Sequence, residues 1–361
     1  MTAVSAGLVS MPGIRSLPKA EVHVHLEGAI ELADLLEAAA HTGVALPGPA
    51  ATLFDTSTHE PSARPSGATP LSAFLRFLDW EGSLFSTPQQ LARLAYRFAA
   101  RQSASGISYT DVIVNPAHWA SWRRRPAAFL DALGAGFADA AADGLCAVGI
   151  CASILRTASS AEAEELVTTL LGERPQGLVG VSVDGDERVS GRTAPRFADA
   201  FGLARRGGLR RTVHAGESSG PEGVWDALTL LHAERIDHGV RAVEDPRLVD
   251  RLAADGVPVG VCPTSNIALG LYARLDEHPV DALARDGVTV TVNTDDPAAL
   301  GTRIETEWLL CAQAFGWDDG RVVGLARDSF RASFAPDGVR EEGLEALARR
   351  ADAMGAGERE R

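Results

Sequence analysis

From about residue 105 onward, short apolar runs alternate with longer stretches rich in Ala, Leu and Arg. The runs are ISYTDVIVN from Ile107, LCAVGICASI from Leu145, GLVGVSVDG from Gly177, RRTVHAG from Arg210, RIDHG from Arg235, VPVGVCPTS from Val257 and VTVTVNTDD from Val288. They are Val- and Ile-rich and nearly continuous in hydrophobicity, as strands buried on both faces should be. AEVHVHLEG, near the N-terminus, makes an eighth. Eight strand–helix repeats predict an α/β fold of the closed (β/α)8 type, a TIM barrel, rather than an open sheet. Local chemistry agrees. Ser219 and Glu222 have capping-box spacing, Asp245-Pro246 opens the next helix and Gly256 closes it. The stretches LAADGVPVGVCPTSN from Leu252 and LARDGVTVTVNTDDP from Leu283 echo each other as helix end, strand and loop.

The interval from Gly28 to Gly106 breaks the rhythm. It holds a Pro/Ser/Thr-rich stretch, LPGPAATLFDTSTHEPSARPSGATP, followed by LSAFLRFLDW. An insertion between the first and second strands lies over the catalytic face of a barrel, where lids sit. Phe77 and Trp80 have helical spacing and are read as core. The expectation is one domain over residues 1–361, with a core at 16–354 and flexible ends at 1–15 and 355–361.

Composition narrows the class. With 34 basic and 48 acidic residues the net charge is −14, which argues against binding nucleic acid or an anionic membrane. The N-terminus lacks the basic start and apolar stretch of a signal peptide, and no window approaches the ~18 apolar residues of a membrane span. A cytoplasmic protein is expected. Cys146, Cys151, Cys262 and Cys311 show no C-x-x-C spacing and are read as reduced core thiols. Oligomeric state has no signature in the sequence.

The chemistry gathers at strand ends. His23 and His25 are two apart on a strand, so both imidazoles face one side. His214 ends the fifth strand, His238 the sixth, and Asp295-Asp296 the eighth. Carboxyl ends of barrel strands are where active sites form. Three imidazoles and a carboxylate suit a divalent ion, zinc first. A position left to water makes such an ion catalytic, because it brings the water's pKa down towards ~7. Glu217, three residues past His214, can give or take a proton, and His238 can orient or deprotonate the water. Lys19, which precedes the first histidine, is the only lysine. That excludes a two-metal centre bridged by a carboxylated lysine and leaves one ion.

Six motifs now stand in order: PKAEVHVHLEG (Pro18 to Gly28), VDGDE (Val183 to Glu187), HAGE (His214 to Glu217), RIDHG (Arg235 to Gly239), CPTSN (Cys262 to Asn266) and NTDDP (Asn293 to Pro297). Together they resemble the adenosine deaminase family. The resemblance implies that His23, His25, His214 and Asp295 ligate one zinc ion. It implies that Glu217 protonates N1 of a 6-aminopurine and that His238 is base or electrostatic partner to the attacking water. Asp296 would hold the base ring and direct water, Gly185 would offer its N–H to N3, and His25 and Glu27 would also face the substrate. The implied substrate is adenosine or 2′-deoxyadenosine, released as inosine or 2′-deoxyinosine with ammonia. Alternatives are a 5′-modified nucleoside such as 6-aminodeoxyfutalosine, or free adenine. More remote is a barrel that binds nucleosides without turnover, against which the complete ligand set and Glu217 both stand.

Two positions depart from the family pattern. Glu27 stands where nucleoside deaminases often carry Asp for the ribose 5′-hydroxyl. In Tyr109-Thr110-Asp111-Val112-Ile113 the acid is kept, but Ile113 replaces an arginine, implying that a charge pair has given way to apolar packing. Plainer roles were open to several residues. Asp296 could cap the helix that follows it. Asp186 and Glu187 read as holding loops by hydrogen bonds, Cys262 as core, and Ser265 as a loop hydroxyl near the pocket. His41, His59, His118, His232 and His278 read as surface or helix residues.

Overall fold

The structure, a computed structural model, describes residues 8–46, 70–190, 192 and 194–359. Eight strands run β1 Lys19–His25, β2 Ile107–Val114, β3 Ala147–Leu155, β4 Leu178–Asp184, β5 Arg210–Ala215, β6 Arg235–His238, β7 Val259–Val261 and β8 Val290–Val292. Each pairs in parallel with the next, in order from β1 to β8, and helices lie between them. This is the (β/α)8 barrel that the eight runs predict. The joint between β8 and β1 is closed at the histidine end, where His25 N–H donates to Asp295 O at 2.7 Å and Asp295 N–H donates to His23 O at 3.2 Å. Side chains carry the joint further down. Asn293 Oδ1 accepts Val22 N–H at 3.0 Å, and Glu21 Oε1 accepts both Thr294 N–H (2.9 Å) and Thr294 Oγ1–H (2.7 Å).

Among the described residues four α-helices precede β2: α1 Met11–Arg15, α2 Leu32–Thr42, α3 Pro70–Ser83 and α4 Pro88–Ala104. Residues 47–69, which hold His59 and most of the Pro/Ser/Thr-rich stretch, lie outside the described residues. α3 packs on the turns that follow β1 (Glu27–Ala29) and β2 (Pro116–His118), so this insertion does cover the strand ends. Gly82 makes that approach possible. A Cβ there would stand 2.4 Å from His118 O. Phe77 and Trp80 are partly buried against the core shared by α4 and β2.

Several local expectations are corrected. Residues 11–15, expected within a flexible end, form α1, with Ile14 buried and Arg15 held on Glu305 Oε1 at 2.7 Å. At the other end the last helix continues to Arg359, into the stretch read as frayed. Ser219 does not cap the helix Pro221–Thr229; Gly220 occupies the cap, because the Ser219 N–H is taken by Glu187. Full capping boxes form instead at Thr87/Gln90 and Ser159/Glu162. Ser265 lies in the helix Pro263–Ala268 rather than in a loop. His118 and His278 are buried, on Asp79 Oδ1 (2.9 Å) and Asn266 Oδ1 (3.0 Å), whereas His41 and His232 are exposed.

The barrel floor corrects the expectation at β2. Asp111 keeps a cationic partner, supplied by β6 rather than by its own strand. Arg235 NH1 donates to Asp111 Oδ2 at 2.7 Å, both side chains fully buried, and the guanidinium lies 4.2 Å from the centre of the Phe334 ring. Tyr109 Oη–H and Phe334 N–H complete the carboxylate's partners at 2.9 Å each. Ile113 fills space beside Cys151 and Phe334. All four cysteines are free and buried. Lys19 sits at the start of β1, with Nζ donating to Ile14 O (3.0 Å) and Leu17 O (2.9 Å). Among the described residues no helix is long and apolar enough to cross a membrane.

Candidate active site

Alternation on β1 brings His23 and His25 to the barrel interior, and β5 and the β8 loop bring His214 and Asp295 to meet them. His214 Nε2 lies 3.2 Å from His23 Nε2 and 3.0 Å from His25 Nε2. Asp295 Oδ1 lies 3.3 Å from the first of these β1 nitrogens and 3.4 Å from the second. All four side chains are nearly closed to solvent. Zinc–nitrogen bonds of ~2.0–2.1 Å would set tetrahedral ligands about 3.3 Å apart. The four atoms therefore already have the edge lengths of a tetrahedral divalent-ion site.

Each imidazole turns its other nitrogen towards an oxygen. His23 Nδ1–H donates to Gly260 O at 2.8 Å, His25 Nδ1 lies 3.8 Å from Asp184 Oδ2, and His214 Nδ1 lies 3.5 Å from Asp237 Oδ2. The first contact is a hydrogen bond that fixes its ring and aims the His23 Nε2 lone pair at a metal; the other two place a carboxylate within ion-pair range of the ring. The electrostatics ask for a cation. Burial lowers the His23 pKa, but Asp237 and Asp295 outweigh it and raise it to about 9; burial and His214 push His25 down to about 4. The acids thus attract positive charge to a place where the histidines cannot all share it as protons. A second grouping of His23, His238, Cys262 and Asp295 is also compact. Its Cys262 Sγ lies 3.4 Å from His23 Nδ1, the nitrogen that already donates to Gly260 O, so the first set is the better cradle.

Glu217 follows β5 and is buried. Burial, then the charges of Asp295 and Glu187, raise its pKa to about 8, leaving a protonated carboxyl at neutral pH. Its loop is held by one residue. Glu187 accepts N–H bonds from Gly216 (3.2 Å), Glu217 (3.0 Å), Ser218 (2.9 Å) and Ser219 (3.0 Å). Arg156 pairs with Glu187 at 3.3 Å and also donates to His214 O. Burial opposes the Glu187 charge, but Arg156 and the backbone N–H groups keep it ionised. Glu187→Gln puts an amide NH2 among these donors. The expected result is a kcat about 10²-fold lower with metal content unchanged, checked by steady-state kinetics and metal analysis.

His238 ends β6 with φ 62°, and Asp295 has φ 63°, two non-glycine residues in the left-handed region at one site. A relay sets the His238 tautomer. Val280 N–H donates to His278 Nδ1 (3.2 Å), so His278 donates from Nε2 to Asn266 Oδ1 (3.0 Å). Asn266 Nδ2–H then donates to His238 Nδ1 at 3.3 Å. Burial holds His238 well below the usual pKa, hence neutral, and its proton stands on Nε2. That nitrogen is 3.6 Å from Glu217 Oε1 and 3.9 Å from Asp295 Oδ2.

The remaining sequence candidates surround this centre. Asp296 is buried, makes no capping bond to the helix it precedes, and its Oδ1 has no partner among the described residues. It leans on Gly28, where a Cβ would meet that oxygen at 1.9 Å. Glu27 Oε1 accepts Asn115 N–H (2.9 Å) and Trp119 Nε1–H (2.7 Å), while Oε2 has no partner among the described residues. Gly185 follows β4 with φ 104°, a conformation suited to glycine. Sequence reasoning missed Asp184, Asp237, Arg156 and Asn266. Three of these lay within the quoted motifs VDGDE, RIDHG and CPTSN; Arg156 had no signal.

The barrel, the candidate metal cradle and the raised Glu217 carboxyl suit a hydrolase acting on C–N bonds of amidines, and the comparisons with known proteins show that class. The family model described as adenosine deaminase matches residues 18–350, and the chain belongs to that family. Aminodeoxyfutalosine deaminase of Streptomyces avermitilis is 37% identical over 334 residues, covering 89% of this chain and 87% of that protein. Adenosine deaminase of Klebsiella pneumoniae is 34% identical over 318 residues, covering 88% and 91%. The crystal structure of adenine deaminase from Arthrobacter aurescens superposes with a TM-score of 0.85 at 28% identity, covering 93% of this chain and 99% of that one. The protein is a purine deaminase.

Proposed function

We propose that this chain, as a single barrel domain, hydrolyses the 6-amino group of adenosine or 2′-deoxyadenosine, giving inosine or 2′-deoxyinosine and ammonia. One observation carries the reading: His23, His25, His214 and Asp295 converge on one point, with the buried Glu217 carboxyl and His238 3.6 Å apart beside them. We assign the cradle to one zinc ion per chain. Bound there, zinc supplies Lewis acidity that makes water nucleophilic at neutral pH. Glu217 gives its proton to N1, which leaves C6 electron-poor. His238, with its proton on Nε2, orients the attacking water as a donor rather than removing a proton from it. As the C6–O bond forms and the C6–N bond breaks, one proton of the water leaves with ammonia and the other restores Glu217. Asp296 offers its free oxygen to the base and the water, and the backbone N–H of Gly185 meets N3. His25 and Glu27 line the same space.

A second reading, a 5′-extended adenosine or free adenine, has support in the likeness to an aminodeoxyfutalosine deaminase and an adenine deaminase. Parallel incubation with adenosine, adenine and a 5′-extended analogue, followed by loss of absorbance at the adenine band, decides between them. Adenosine is expected to react fastest; a faster rate with either alternative transfers the conclusion to it. Metal analysis is expected to return one zinc per chain. His238→Ala is expected to lower kcat by about 10²-fold or more with KM little changed. The reverse pattern would recast His238 as a binding residue.

A further inference from the structure

One buried carboxyl near the site serves nothing so far described. Glu81 lies near the end of α3 and is 1% exposed, yet neither of its oxygens has a hydrogen-bond partner among the described residues. Leaving such a group unpaired is costly, so it calls for a partner that arrives with the ligand. Its placement is enforced by the contact of Gly82 with the His118 carbonyl, which presses α3 onto the turns after β1 and β2. The charges that act on Glu81 are Asp296 and Glu27, and none is a cation. Burial first, and then these two acids, hold its carboxyl well above the usual range. The contact of α3 with the Glu27–Ala29 turn sets this carboxyl at the mouth, beside Glu27 and Asp296.

We propose that Glu81 is a substrate-contacting residue, delivered by the helix over the mouth, whose carboxyl exchanges hydrogen bonds with hydroxyl groups of the substituent at N9. The inference rests on the reading of the protein as a 6-aminopurine deaminase, which fixes C6 at the cradle and leaves the opposite edge of the purine to this wall. Atom counting selects the chemistry. Glu27 Oε2 and both oxygens of Glu81 have no hydrogen-bond partner among the described residues. Free adenine brings one N9–H to that edge and cannot satisfy three oxygens; a glycosyl group brings several hydroxyls, each both donor and acceptor. The acid wall thus prefers a hydroxylated N9 substituent to the bare base.

The test uses the metal-loaded full chain and the variants Glu81→Gln and Glu81→Leu. Glu81→Leu is expected to raise KM for adenosine about tenfold while kcat stays within threefold and adenine kinetics do not change; Glu81→Gln gives a smaller rise. In calorimetry the affinity for inosine falls by the same factor and that for hypoxanthine does not. Equal losses on adenosine and adenine, or no loss on either, overturn the proposal. Should the wild type deaminate neither compound, the functional reading alone fails, and the inosine–hypoxanthine comparison still decides the role of Glu81. If Glu81→Leu does not fold, the near-isosteric Glu81→Gln carries the same comparison.

Discussion

Glu217→Gln is expected to keep its metal and to lose turnover by about 10³-fold, the usual scale for removing a positioned proton donor. The amide fills the same volume and leaves the Glu187 hydrogen bond to its backbone untouched, since that bond is made by the N–H and not by the side chain. What disappears is an exchangeable proton beside the cradle. Metal analysis and steady-state kinetics on one preparation check both halves, and an unaffected rate refutes the assigned donor. The same carboxyl sets a pH dependence. Its pKa is raised from 4.5 to about 8, so the protonated form needed for transfer persists below that value and is lost above it. Activity should therefore fall on the alkaline side. Stability follows the same sign: between 4.5 and about 8 the folded chain holds a proton that the unfolded chain releases, so this group's contribution declines as pH rises through that window. Glu217→Gln removes the decline, and a higher melting temperature at pH 8 than wild type is the expected companion of the lost turnover.

How much of this was legible follows from the range over which each feature is encoded. The strands were readable because burial on both faces leaves an uninterrupted apolar run, and the ligands because each sits at the end of such a run. Asp111 shows the limit. Its partner Arg235 is 124 residues away and reaches it only across the closed barrel, so local inspection of β2 reported a missing charge pair. Glu187 was correctly read as a loop holder, but that its loop carries Glu217 depends on β4 lying beside β5. His118 and His278 looked peripheral because polar partners from other elements bury them. Glu81 has no local mark at all: it is one acid on a helix, and only the contact of Gly82 with the neighbouring turn turns it inward.

Asp295→Asn is expected to fold normally, to lose most of its metal and to lower activity by about 10⁴-fold, exceeding the Glu217 effect because the whole cradle fails. The backbone of Asp295, not its carboxylate, closes β8 onto β1, through bonds to His25 N–H and His23 O. Its φ of 63° is a conformation that asparagine tolerates well, whereas alanine would add strain of about 1 kcal/mol. Asparagine therefore separates charge from fold. Without the negative charge, three imidazoles must hold a divalent ion alone, and the oxygen 3.3–3.4 Å from two of them becomes a weak amide ligand. Because an ion that binds only the folded chain stabilises it by mass action, added zinc should raise the melting temperature of wild type and leave that of Asp295→Asn nearly unmoved. Stoichiometric metal and undiminished turnover in this variant would remove Asp295 from the ligand set and return the carboxylate to an electrostatic role.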